Sequence, residues 1–170
     1  MSQIETIQAR LLELVPESSW SDGAAGDPFA ALPADGWHAA CLAVRDDPAL
    51  GFDFLRSLSG VDRPADDRIE VVAHLFSYKH RHALVLKTHT GRDGGALPSI
   101  HDVWPAAEWY EREIFDLLGV RFEGHRDLRR LLMPEDWQGH PLRKDYREAE
   151  HYRGIPTRRP GYAAPDRDEP

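Results

Sequence analysis

Apolar residues near the start of the chain recur at helical spacing, with Ile4, Ile7, Leu11, Leu12 and Val15 on one face. Ser2 and Glu5 form a capping-box pattern ahead of that stripe, and Pro16 ends it. Residues 18–36 are rich in Gly, Pro, Ser and Asp and read as a loop. Trp37–Val44 reads as a first strand, although its alternation is poor. Asp47-Pro48 reads as a helix start, with Phe54, Leu55 and Leu58 as the apolar face and Gly60 as the stop. Arg68–Tyr78 and His82–Thr90 are rich in Val, Leu and Phe; parted by Lys79-His80-Arg81, they predict an antiparallel hairpin. Beyond a Gly91–Gly95 turn, Pro105 opens the most regular helix, with Tyr110, Ile114, Leu117 and Leu118 as its stripe and Gly119 at its C-terminal end. Residues 1–120 therefore predict an α+β domain, a compact helix-on-sheet sandwich with an antiparallel or mixed sheet.

After Gly119 the periodicity fails. Leu128, Leu131, Leu132 and Met133 alternate with Pro134, Gly139 and Pro141, so residues 121–150 read as an irregular, charged segment for docking a partner. Residues 151–170 hold four prolines and almost no aliphatic side chains and are expected to be extended or disordered.

Composition then removes whole classes of function. A single cysteine, Cys41, excludes a disulfide framework, a four-thiolate iron–sulfur site and a multi-cysteine zinc site. No apolar run approaches the about 18 residues that span a bilayer, and the acidic N-terminus resembles neither a signal nor a transit peptide. The net charge is −8, concentrated in residues 1–60 with three basic and nine acidic side chains, which opposes nucleic-acid binding through a broad basic face. Residues 121–150 carry seven of each sign, a mixture suited to salt-bridged contact with the chain itself or with another protein.

Reactive constellations are missing as well. The chain has no G-x-G-x-x-G, no G-x-x-x-x-G-K-[ST], no H-E-x-x-H and no G-x-S-x-G. Cys41 reads as a small buried hydrophobe. His80 and His82 with His89 have strand spacing for a metal site, but Lys79 and Arg81 make that turn locally positive and oppose a cation. Glu113 or Asp116 with His125 or His140 would supply an acid–base pair for a small soluble enzyme, without an accompanying nucleophile or substrate cradle.

The helix from Glu108 onward carries Glu108–Arg112 and Arg112–Asp116 at i,i+4, a ladder that by periodicity alone reads as a solvated face. Farther on, Gly139 and Pro141 fix a turned backbone before Arg143, Lys144, Asp145 and Tyr146. Arg143 there is able to grip a carboxylate with two parallel hydrogen bonds.

Four runs carry a family resemblance: Trp109-Tyr110-Glu111-Arg112-Glu113-Ile114-Phe115-Asp116-Leu117-Leu118-Gly119, Phe122-Glu123-Gly124-His125, Asp127-Leu128-Arg129-Arg130-Leu131-Leu132-Met133, and Gly139-His140-Pro141-Leu142-Arg143-Lys144-Asp145-Tyr146. With Gly60-Val61-Asp62 and Pro98-Ser99-Ile100 ahead of Trp104-Pro105, they resemble the subunit designated C in respiratory complex I, the NADH:quinone oxidoreductase, over residues 45–147. The family's usual asparagine before the tryptophan is Glu108 here, and its usual proline after Lys-Asp-Tyr is Arg147.

The resemblance implies a non-catalytic assembly subunit of the hydrophilic arm, on the cytoplasmic side of a bacterial inner membrane and peripheral through the complex. Iron–sulfur clusters, FMN and quinone would sit on partner subunits, with no cofactor in this chain. Its partners would be chiefly the quinone-pocket subunit, together with neighbouring cluster-bearing subunits. The implied interface comprises Glu111, Arg112, Glu113 and Asp116 of the helix; His125, Arg129 and Arg130 after it; and His140, Arg143, Lys144, Asp145 and Tyr146. The homologous subunit of a membrane-bound hydrogenase, or of a quinone oxidoreductase using another donor, would carry the same motifs.

Overall fold

The computed structural model describes residues 3–23 and 27–157. Ser2 of the expected capping box and residues 158–170 of the expected tail lie outside them. In chain order the elements are α1 (Gln3–Leu14), β1 (Ser19–Ser21), β2 (Phe29–Ala31), α2 (Trp37–Asp46), β3 (Phe54–Arg63), β4 (Arg68–Ser77) and β5 (His82–Gly91). Then follow β6 (Ala96–Pro98), α3 (Ala107–Leu118), β7 (Arg121–Glu123), β8 (His151–Tyr152) and β9 (Ile155–Pro156). Five strands make one mixed sheet in the order β1-β2-β5-β4-β3. The predicted hairpin is β4–β5, antiparallel from Arg68–Gly91 to Ser77–His82. β2 lies parallel to β5, and β1 and β2 both come from the stretch read as loop. Three residues are too few to show alternation, so pairing with a distant strand decides their state.

Two expected elements exchange identity. Residues 37–46 are helix α2, because Trp37, Ala40, Cys41 and Val44 are spaced for one helical face and all four are buried. Residues 54–63 are strand β3. Its register with β4 shifts between Leu55 and Ser57, so Leu55 and Leu58 both face the core opposite Leu75 and Ala73. That bulge turns a two-residue period into a three-residue one and imitates helical spacing in the sequence. Asp47 caps the end of α2 instead of starting a helix. Its carboxylate accepts from the Ala49 and Leu50 amides at 3.0 Å and pairs with Arg10 of α1 at 2.6 Å.

Gly60 is likewise no helix stop. It lies mid-strand beneath α3, where an added Cβ would stand 2.3 Å from Leu118 Cδ1 and 3.2 Å from Ile114 Cγ2. Its missing side chain sets how closely helix and sheet approach.

The helices cover one sheet face, as expected. Ile69, Val71, Ala73, Leu75, Leu84 and Leu86 of β4 and β5 share a core with Ile7 and Leu11 of α1, Trp37 and Val44 of α2, and Ile114 and Leu118 of α3. In α1 the expected stripe is narrower, since Ile4 and Leu12 are exposed. Cys41 is buried within the core. β6 and β7 flank α3 and pair in parallel through Leu97 and Phe122, which fixes both ends of the helix. From residue 124 to 150 the arm has no helix or strand, and residues 151–157, expected to be extended, close as the β8–β9 hairpin.

Candidate functional site

Helix α3 ends at Gly119 in the left-handed conformation (φ 82°), and its last carbonyls need partners. Gly119 N–H takes the Phe115 carbonyl at 2.9 Å, and the arm supplies the rest. His140 Nδ1 donates to Asp116 O at 2.9 Å, Leu142 N–H to Leu117 O at 3.0 Å and Arg143 Nε to Leu118 O at 2.9 Å. Arg130 and Arg143 thus bring positive charge to the negative end of the helix dipole.

The fully buried Asp116 carboxylate holds a second arm segment. Oδ1 accepts from Arg130 Nη1 at 2.7 Å, and Oδ2 accepts from the amides of Leu131, Leu132 and Met133 at 3.0, 2.7 and 2.8 Å. Burial pushes this carboxyl's pKa up, but the three amides and Arg130 together outweigh it and hold the group below its ordinary value. Arg130 Nη2 reaches onward to the carbonyls of Trp137 and Gly139 at 2.9 and 3.1 Å. Arg112, nearly buried, donates to the carbonyls of Arg129 and Arg130 at 3.2 Å and lies against the Trp109 ring.

A third anchor joins the arm to the sheet. Buried Asp62 accepts from Arg92 Nε at 2.8 Å and from Lys144 N–H at 2.7 Å, while Arg92 also pairs with Asp145 at 2.7 Å. Desolvation raises the Asp62 carboxyl, yet Arg92 and the Lys144 amide bring it below its ordinary value. Arg143 completes the corner through Asp93 Oδ1 at 3.0 Å and Arg92 O at 2.5 Å. Tyr146 OH accepts from Trp137 Nε1 at 3.0 Å.

The charge ladder expected on α3 is therefore not made. Glu108 pairs with Arg126, Arg112 with arm carbonyls and Asp116 with Arg130. The helix face is not solvated either, because Glu111, Arg112 and Asp116 are all buried within this chain. Of the interface residues implied by resemblance, Glu113, Arg129, Lys144 and Asp145 are exposed, whereas His125, Arg130, His140, Arg143 and Tyr146 are half-buried. The roles of Asp62 and Arg92 escaped sequence reasoning. Asp62 lies in a run that carries the resemblance, but nothing local marks Arg92 as its partner.

Exposed apolar side chains accompany the clasp. Trp109, Leu132 and Leu142 are each more than half exposed, at 57%, 60% and 57%. The amides of Leu132 and Leu142 are tied to consecutive residues of α3, Asp116 and Leu117.

The other constellations do not assemble. His80 Nε2 is 2.9 Å from the Pro48 carbonyl and His82 Nε2 is 2.6 Å from that of Leu50, and no group of three potential ligands converges among the described residues. Cavities of about 210 and 360 Å³ are lined by other residues than Glu113, Asp116, His125 and His140. No second thiol exists to join Cys41 in holding a cluster. No helix of the described residues is long and apolar enough to cross a membrane.

The site is thus built as an α+β domain whose last helix holds an irregular arm against its C-terminal end. Residues 30–152 match the family model described as the 30 Kd subunit of respiratory-chain NADH dehydrogenase. The chain belongs to that family, whose members are parts of a multisubunit respiratory complex, the NADH:quinone oxidoreductase.

It is 46% identical over 128 residues to the NADH-quinone oxidoreductase subunit designated C in Chlorobium phaeobacteroides, covering 75% of this chain and 77% of the relative. It is 50% identical over 103 residues to that of Roseiflexus castenholzii, covering 60% of this chain and 59% of the relative. Among solved structures, a chain of an archaeal respiratory membrane complex, the membrane-bound sulfane sulfur reductase, superposes with TM-score 0.75 and 27% identity over 86% of both chains. A trypsin-resistant fragment of Nqo5 superposes with TM-score 0.62 and 26% identity, over 75% of this chain and 100% of the fragment.

Proposed function

We propose that this chain is a non-catalytic structural subunit of the hydrophilic arm of a proton-translocating NADH:quinone oxidoreductase. In this reading its clasped arm docks against the quinone-pocket subunit and neighbouring cluster-bearing subunits on the cytoplasmic side of the membrane. FMN, iron–sulfur clusters and quinone are held by those partners, and electrons bypass this chain. The observation that carries the reading is the division of labour in the clasp. Its buried polar groups, Asp62, Arg112 and Asp116, are spent inside the chain, while Trp109, Leu132 and Leu142 stand outward as anchors for another protein.

The superposition on the sulfane sulfur reductase chain supports a second reading, the equivalent subunit of a complex with another donor or acceptor. The higher identity to the quinone enzymes favours the first.

Co-expression of the full chain with the quinone-pocket subunit of its own complex tests the proposal. The pair is expected to co-elute in a fixed ratio and to separate when Leu132→Asp and Leu142→Asp are combined, while the pure chain turns over neither NADH nor quinone. Independent elution of the two wild-type chains, or turnover by this chain alone, overturns it.

A further inference from the structure

Glu111 is fully buried on α3, and the clasp does not use its carboxyl. Ser99 Oγ stands 2.5 Å from Glu111 Oε2 and 2.8 Å from His101 Nδ1, so one hydroxyl bridges a buried carboxyl and a half-buried imidazole. Oε1 accepts from the Ile100 amide at 2.7 Å. The nearest ring nitrogen, His125 Nε2, is 3.9 Å away. Because His125 Nδ1 accepts the Asp127 amide, that ring carries its hydrogen on Nε2 and directs it to the Glu108 carbonyl at 3.1 Å. No cation therefore meets Glu111 at hydrogen-bond distance.

A hydroxyl both donates and accepts, so the same heavy atoms serve two hydrogen arrangements. In one, His101 Nδ1–H donates to Ser99 and Ser99 donates to an ionised Glu111. In the other, a protonated Glu111 donates to Ser99, whose hydroxyl donates to a bare Nδ1. We propose that His101, Ser99 and Glu111 form a proton-binding relay that takes a proton at the half-buried imidazole and stores it on the fully buried carboxyl. In the inward step the Nδ1–H bond breaks as a new O–H forms on Ser99, and the original Ser99 O–H breaks as one forms on Glu111 Oε2. An imidazolium and a carboxylate become an imidazole and a carboxylic acid, and the serine is regenerated.

The surroundings favour the stored proton. Burial pushes the Glu111 carboxyl up to about 7, and the Asp102 carboxylate adds to this against the Ile100 and Ser99 hydrogen bonds and His38. The other facing groups have settled partners. From the Ser99–His101 loop, Asp102 pairs with His38 of α2 at 2.9 Å. On α3 itself, Glu108 pairs with Arg126. Cys41, also on α2, keeps its thiol proton, because burial and then the Glu111 charge push it up. The relay stands within this chain and goes beyond the docking role.

Titration of the full chain with ¹³C in the glutamate carboxyls and ¹⁵N in the histidine rings tests it. One glutamate signal is expected to titrate near 7 and to vanish in Glu111→Gln. The His101 Nδ1 signal is expected to move in step with it in the wild type and to lose that coupling in Ser99→Ala. The relay is refuted if every glutamate of the wild type titrates in the ordinary range, about pH 4–5. It is equally refuted if His101 follows the glutamate unchanged in Ser99→Ala. The wild-type titration decides the first point even where a variant fails to fold.

Discussion

Replacing Asp116 with alanine should destabilise the protein by about 3 kcal/mol. That is the lower end of the range for removing one partner of a buried ion pair, because half-buried Arg130 keeps some access to water. The loss is large because one carboxylate serves four donors, Arg130 and the amides of Leu131, Leu132 and Met133, and the variant offers them nothing in exchange. Denaturant unfolding measures the change. Asp116→Asn retains an oxygen for the three amides and should lose less.

The same carboxylate makes the clasp acid-sensitive. A carboxyl held below its ordinary value contributes stability above its unfolded pKa and loses it as pH falls through the folded value. Asp62 adds in the same direction, so the wild-type arm should release on acidification below about pH 4. Asp116→Ala should flatten that dependence. Glu111 acts with the opposite sign: its raised value gives a contribution present below its unfolded pKa and lost as pH rises through about 7.

Gly119→Ala should cost about 2–3 kcal/mol, roughly half from holding a non-glycine residue in the left-handed region and half from displaced hydrogen bonds. At φ +82° an added Cβ meets His140 Nε2 at 2.6 Å and Arg143 Nη2 at 2.9 Å. These two side chains cap the Asp116 and Leu118 carbonyls, so the methyl group pushes the arm off the helix end. Thermal unfolding reads the loss, and faster proteolytic cleavage between residues 139 and 146 locates it.

Sequence shows what is local. β4, β5 and α3 were legible because each is long enough for its own period to emerge, and Gly119 marks its helix end in the expected way. Gly60 misleads because a glycine that admits a crossing helix looks the same in sequence as one that ends a helix. The bulge in β3 spaces Leu55 and Leu58 like a helix, and only pairing with Leu75 and Ala73 resolves them. The motifs of the candidate site were visible as runs of residues, but their bonds were not. Asp62 meets Arg92 across 30 residues, and Asp116 binds amides 15–17 positions away. Reading Glu108, Arg112 and Asp116 as an exposed ladder followed from helix geometry alone, and the arm that buries two of them has no period to announce it.

If the clasp is what makes this chain a docking subunit, the arm is already folded onto α3 in the free chain and offers its outer side to a partner. Hydrogen exchange of the full chain, alone and bound to the quinone-pocket subunit, tests this most directly. The amides of Leu131, Leu132, Met133, Leu142 and Lys144 should be protected in the free chain, with further protection around Trp109 and the outward side of the arm only in the complex. Free exchange of those five amides in the isolated chain, or no added protection on binding, would contradict the account.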